Sequence, residues 1–248
     1  MQTSIKKFVE CTVPISHCNL RCSYCYIIQE NRRDADMPGF RYSPEYIGRA
    51  FRQERWGGTM LVNLCGAGET LLCPQITEVI SAILEQGHFM NVTTNGTISA
   101  KFDEIARLPE ELRSRLCFAF SLHYTELKRT HNLQNFAENV RRMQQAGCSV
   151  LVQLNLCDEY IDCKDEIKQF CFKNFGALPH VALTRNEHGG GVVHSLSSQD
   201  TLTRNISAMA ESSSLRCSSS HVRTSGSSGM NFVTQEIGAS HSTLLQEN

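Results

Sequence analysis

Short apolar runs and longer amphipathic stretches alternate from residue 8 to residue 183. Residues 8–15 (FVECTVPI) are β-prone, and residues 44–55 suit a helix, with Tyr46, Ile47, Ala50 and Phe51 on one side. Residues 60–65 (MLVNLC) form a compact apolar strand. Residues 75–86 carry Ile76, Val79, Ile80, Ile83 and Leu84, the stripe of an amphipathic helix, and Gly87 ends it. Residues 88–94 (HFMNVTT) read as a strand closed by the turn pair Asn95-Gly96. Residues 99–108 predict a helix stopping before Pro109, and residues 116–123 (LCFAFSLH) a strand. Residues 135–145 predict a helix with Phe136, Val140 and Met143 on one face. A strand over 149–156, a helix over 162–174 and a short strand over 179–183 complete the series.

Six strand–helix units at a spacing of about 30 residues predict parallel βαβ connections. Without a GxGxxG opening, six continuous units favour a partly closed barrel over a Rossmann sheet. The expected class is α/β, a partial (β/α)6 TIM-like barrel over residues 1–195. Strands this apolar predict a sheet covered on both faces. In such barrels the chemistry sits at the C-terminal strand ends.

Residues 196–248 differ in kind. Serine makes up 15 of residues 195–248, including Ser212–Ser214 and Ser218–Ser220, with no sustained period and little apolar mass. One reading is a low-complexity, disordered tail. The other is a truncated or frame-shifted remnant of a C-terminal extension, which the coding DNA would decide.

Charge narrows the function. Lys+Arg 24 against Asp+Glu 25 leaves a net charge of -1 over 248 residues, so no nucleic-acid partner is expected. No apolar run approaches the ~18 residues of a membrane span, and the N-terminus lacks the apolar core of a signal peptide. A cytoplasmic location is expected, and the twelve cysteines then read as thiols and metal ligands rather than disulfides.

The strongest chemical signal is Cys18-Asn19-Leu20-Arg21-Cys22-Ser23-Tyr24-Cys25, a C-x3-C-x2-C triplet directly after the first strand. Three thiolates this close can hold three irons of a [4Fe–4S] cube and leave the fourth open to a ligand. A zinc site is the alternative, but structural zinc takes four ligands, and the nearby extras are only His17 and Cys11. The spacing, with an aromatic before the last cysteine, resembles the radical S-adenosylmethionine (SAM) superfamily, and CNLRCSYC matches its signature at each defining position.

Further segments fit the resemblance. Gly66-Ala67-Gly68-Glu69 is similar to the family's glycine–glycine–glutamate motif at the end of strand two, which implies that Gly66, Gly68 and Glu69 receive the methionine ammonium of SAM. Thr94-Asn95-Gly96 matches a segment frequent after strand three, and Asn95 is a candidate ligand contact. Ser121, ending strand four, is a candidate for the SAM carboxylate or ribose, and His123 lies two residues on. Gln153 and Asn155 share one strand face, and Asn155 is a candidate ribose contact although the family's GxIxGxxE pattern is absent. Arg32, Arg33 and Arg41 read as a solvated loop face, or as a site for an anionic substrate.

The resemblance covers about residues 8–185 and implies a mechanism. Cys18, Cys22 and Cys25 hold a [4Fe–4S] cluster, and SAM chelates the open iron. An external one-electron donor of flavodoxin or ferredoxin type drives cleavage to a 5′-deoxyadenosyl radical, which takes hydrogen from a peptide or small-metabolite substrate. Two alternatives stay open: a catalytically impaired fragment that binds a cluster, and a zinc- or thiol-binding regulatory protein. With Cys217 the sole cysteine of the tail, one cluster is expected.

Overall fold

The computed structural model describes residues 4–33 and 39–184. Six strands form one all-parallel sheet in sequence order: β1 (Lys7–Val13), β2 (Met60–Gly66), β3 (Phe89–Thr94), β4 (Leu116–Ser121), β5 (Ser149–Leu156) and β6 (His180–Leu183). Between β1 and β2 lie α1 (Tyr26–Gln29), α2 (Pro44–Ala50) and α3 (Gln53–Trp56). Then α4 (Ile76–Leu84) precedes β3, and α5 (Ser99–Ala106) and α6 (Glu110–Arg113) precede β4. α7 (Tyr124–Arg129) and α8 (Leu133–Gln145) precede β5, and α9 (Lys164–Phe175) precedes β6. Among the described residues, strands β1 and β6 each pair on one side only, which leaves the barrel partial.

The strands do not bury both faces. Met60, Val62 and Leu64 of β2 and Met90 and Val92 of β3 are buried, while the alternate residues Leu61, Asn63, Cys65, Phe89, Asn91 and Thr93 are half-buried. One face packs against helices and the other lines the open inside of the half-barrel. There Asn91 Nδ2 donates to Asn63 Oδ1 at 2.7 Å, so the polar positions satisfy one another. The expectation of cover on both faces fails because a half-open barrel leaves its inner face to ligand or solvent.

The helix-side core forms as the periodicity predicts. Ile76, Val79, Ile80, Ile83 and Leu84 of α4 are all buried. Phe102 stacks on Phe120 at 5.3 Å and meets Phe118 edge-on at 5.6 Å, and Phe136 meets Phe120 at 5.8 Å. Each buried phenylalanine contributes about 1.5–3 kcal/mol by burial, and each such ring pair about 0.5–1.5 kcal/mol more.

Local differences have local causes. The helix expected over 44–55 is two helices, because Arg52 is extended (ψ 137), and Trp56 Nε1 spans the break to the Ala50 carbonyl at 2.9 Å. β4 stops at Ser121, yet Leu122 N still donates to the Gln153 carbonyl at 2.7 Å. Both residue 121 and residue 123 therefore stay at the strand end. Among the described residues no helix is long and apolar enough to cross a membrane. The serine-rich segment 196–248 and Gly189–Gly191 lie outside the described residues.

Candidate active site

The C-terminal strand ends surround one cavity of about 700 Å³. Cys18, Cys22 and Cys25 line it together with Gly66, Gly68, Glu69, Asn95, Ser121 and Asn155, so the residues expected for the cluster and for SAM reach the same space. That volume lies within the range of about 300–1,000 Å³ usual for small-molecule sites.

The cysteine loop is held from three directions. Its entry is clamped by the turn after β2: Gly68 N donates to the Ile15 carbonyl at 2.8 Å, and Glu69 N to the His17 carbonyl at 2.9 Å. A β-carbon on residue 68 would lie 2.6 Å from the His17 carbonyl carbon and 2.7 Å from that of Ser16, so only glycine allows this approach. The close approach glycine permits here is that of the chain to itself. The second support is the turn after β3. Asn95 Nδ2 donates to Asn19 Oδ1 at 2.8 Å and to Cys18 Sγ at 3.7 Å, while Thr97 N and Oγ1 donate to Asn95 Oδ1. Gly96 makes that turn at φ 74, with Phe136 and Phe120 packed where a β-carbon would sit. The third is Glu126, which accepts from Arg21 N at 2.7 Å and binds Arg129 in two-pronged fashion at 2.7 and 2.8 Å. The Arg129 guanidinium, above other causes, holds the Glu126 carboxyl below its ordinary value.

The thiols themselves sit in a dry setting. Burial pushes the Cys18 thiol up to about 11, and Glu69 and Cys25 push the same way. N–H groups of Leu20, at 3.4 Å, and Asn95 oppose that shift at the sulfur. Cys22 is raised further, by burial first and then by its neighbours Cys18 and Cys25. Thiols so placed become thiolates when a cation offsets the lost hydration.

Glu69 is buried and crosses from β2 to β3. Its Oε1 accepts from Leu71 N at 3.0 Å and Thr94 Oγ1 at 2.6 Å, and its Oε2 accepts from Asn95 N at 2.7 Å. Burial raises its carboxyl pKa, and these three donors oppose the rise. One acceptor position on Oε2 remains open.

The far wall comes from β4, β5 and β6. Gln153 Nε2 donates to Asn155 Oδ1 at 3.2 Å, so the polar pair on β5 partly satisfies itself beside Ser121. Thr184, just past β6, is buried on the cavity wall, and its Oγ1 has no hydrogen-bond partner among the described residues. His123 bonds Tyr24 through Nδ1, and burial lowers its pKa to about 4 against the pull of Glu126. Glu126, Thr184 and Tyr160 carried no signal in the sequence, since each acts across 100 or more positions or stands alone. Of the arginines, Arg33 donates to the Cys18 carbonyl, and Arg32 and Arg41 lie over the rings of Tyr26 and Tyr42. Among the described residues no group of three or more His, Cys, Asp or Glu is arranged around a single metal ion.

Comparison with known proteins places this geometry. The structure of anSMEcpe with bound AdoMet and a Cp18Cys peptide superposes with a TM-score of 0.61 at 11% identity, over 83% of this chain and 59% of that one. Streptococcus suis SuiB bound to S-adenosylmethionine gives 0.60 at 18% identity, over 85% and 48%. SuiB bound to its precursor peptide SuiA gives 0.59 at 16% identity, over 85% and 46%. The chain thus spans about half the length of these proteins, and at such identities the likeness is one of fold. Comparison with curated proteins gives no match. The family model described as the radical SAM superfamily matches residues 12–170, from the end of β1 through the cysteine loop into α9. Partial barrel, cysteine loop and family model coincide along the same stretch of chain, and the protein belongs to the radical SAM superfamily.

Proposed function

We propose that this protein is a radical SAM enzyme that abstracts hydrogen from a peptide substrate. The observation that carries the reading is the convergence of three thiols from one loop, a buried glutamate and the polar ends of β4–β6 on one cavity. The donor set suits a [4Fe–4S] cluster: three sulfurs for three irons, with N–H donors at Cys18 Sγ of the kind that tune such clusters. The unpartnered Thr184 Oγ1 suits a cavity wall that a ligand completes.

Cys18, Cys22 and Cys25 would hold a cluster that, when bound, would supply the one-electron reduction of SAM from which the hydrogen-abstracting radical arises. The chain's own residues position and protect. Cys18, Cys22 and Cys25 hold the cluster, and Asn95 and Glu126 keep their loop in place. Gly66 and Gly68 bring the β2 turn against that loop, and the open lone pair of Glu69 Oε2 receives the SAM ammonium. Ser121 and Asn155 take the ribose and carboxylate side. The apolar walls Leu20 and Ile27 keep water from the reacting carbon. A flavodoxin- or ferredoxin-type protein supplies the electron. The half-covered inner face, open between β1 and β6, leaves room for an extended chain, and peptide-bound neighbours share the fold.

Anaerobic reconstitution tests the reading. About four irons per chain are expected, with release of 5′-deoxyadenosine on adding dithionite and SAM, and loss of both when Cys18, Cys22 and Cys25 become alanine. Iron retained by that triple variant sinks the ligand assignment. A cluster that yields no 5′-deoxyadenosine favours the impaired-fragment reading.

A further inference from the structure

Three side chains from distant parts of the chain form a hydrogen-bond chain that starts at the cavity wall, which Tyr24 and His123 line, and ends at the buried Tyr160. Tyr24, between two of the cysteines, places its hydroxyl 2.7 Å from His123 Nδ1 and 2.7 Å from the Tyr160 hydroxyl. Tyr160 is 1% exposed, and among the described residues its hydroxyl has no partner besides Tyr24. If Tyr24 donated to Tyr160, the Tyr160 proton would be a buried donor without an acceptor. Tyr160 therefore donates to Tyr24, and Tyr24 donates onward to His123 Nδ1. The Cys22 sulfur also lies beside the Tyr24 hydroxyl, but an imidazole nitrogen at 2.7 Å is the better acceptor. A neutral imidazole that accepts at Nδ1 carries its proton on Nε2. His123 lines the cavity, and its Nε2 has no partner among the described residues.

We propose that His123 donates a hydrogen bond from Nε2 to an acceptor atom on the adenosine half of SAM, with Tyr24 and Tyr160 as positioning residues that set its tautomer. The inference rests on the SAM reading above. A donor cannot serve the ammonium, which itself donates and has Glu69 as its acceptor. His123 stands instead at the β4 end with Ser121, across from Asn155 and Thr184, where the uncharged ribose and adenine present oxygen and ring-nitrogen acceptors. The two tyrosines hold the histidine from behind, so the donor is oriented before the ligand arrives.

The test uses the reconstituted full chain with SAM as the probe and two readouts. Ring ¹⁵N shifts of histidine-labelled protein should show His123 protonated at Nε2 and bare at Nδ1. His123→Phe should bind SAM about tenfold more weakly, the size of one lost neutral hydrogen bond. Tyr160→Phe keeps the ring, which meets Tyr24 edge-on at 5.9 Å, but removes the proton that directs the chain. It should mix the two tautomers in the ¹⁵N spectrum and weaken SAM binding several-fold. A proton on Nδ1 in the wild type overturns the proposal, because Tyr24 then donates to Cys22. So does His123→Phe binding SAM like wild type; should that variant not fold, a Tyr160→Phe protein with unchanged spectrum and affinity has the same force. A wild-type protein that holds a cluster but binds no SAM overturns the cofactor reading as well.

Discussion

Gly68→Ala is the sharpest perturbation this fold offers. The added carbon overlaps the His17 carbonyl and sits 2.7 Å from the Ser16 carbonyl carbon, both backbone atoms that no rotamer change can clear. The β2 turn and the cysteine loop must separate. Separation stretches the bonds from Gly68 N to the Ile15 carbonyl and from Glu69 N to the His17 carbonyl. Overpacking costs about 1–3 kcal/mol and each backbone bond about 0.5–1.5 kcal/mol, so the variant should lose about 2–6 kcal/mol. That is a large part of the roughly 5–15 kcal/mol a domain possesses. Cys18 follows His17 directly, so cluster uptake should fall with stability. The assay is the urea midpoint by circular dichroism together with iron content after anaerobic reconstitution. Gly39→Ala is the control, since a β-carbon there meets only Pro74 at 3.9 Å. If Gly68→Ala matches wild type in both midpoint and iron content, the clamp has no energetic role and the argument is wrong.

Three other substitutions probe the same site. Glu69→Gln should lower stability by about 1–3 kcal/mol, because one amide oxygen can serve Leu71 N and Thr94 Oγ1 but the amide nitrogen then faces Asn95 N; an unchanged urea midpoint refutes this. Asn95→Asp removes the donor to Cys18 Sγ and adds negative charge nearby, so iron should still bind while the cluster's reduction potential becomes more negative in an EPR-monitored titration. His123, lowered by burial from 6.5 to about 4, binds its proton more readily in the unfolded chain. Its contribution is therefore complete above pH 6.5 and lost as pH falls toward 4. The stability difference between wild type and His123→Gln should shrink over that window, and a constant difference would count against the buried, neutral ring.

Much of this protein is legible without coordinates. Short apolar runs and stripes with period 3.6 locate β1–β6, α4 and α8 within a few residues, because local sterics and burial determine them. The C-x3-C-x2-C spacing names its chemistry for a similar reason: ligands on one short loop need no tertiary information to be neighbours. Residues 66–69 and 95 are marked by turn chemistry. What they touch is not. That Asn95 grips Cys18 and Asn19, or that Gly68 lies against Ser16 and His17, depends on the β1–β2–β3 register, which brings together loops 50 to 80 residues apart.

The same limit explains the errors. Composition cannot distinguish a strand buried on both faces from one whose second face lines an open half-barrel, since Leu61 and Phe89 are as apolar as Val62 and Met90. Tyr160 and Glu126 are single residues in segments without a motif. Their importance arises only when the chain closes on itself and a hydroxyl or carboxylate meets a partner over 100 positions away. The sequence by itself determined the parallel α/β series and the three-cysteine loop, both encoded in short-range patterns. Only the tertiary structure decided the clamp on the cysteine loop, the open lone pair of Glu69 and the direction of the Tyr160–Tyr24–His123 chain. Hydrogen-bond satisfaction in a closed interior is a property of the whole fold and not of any segment.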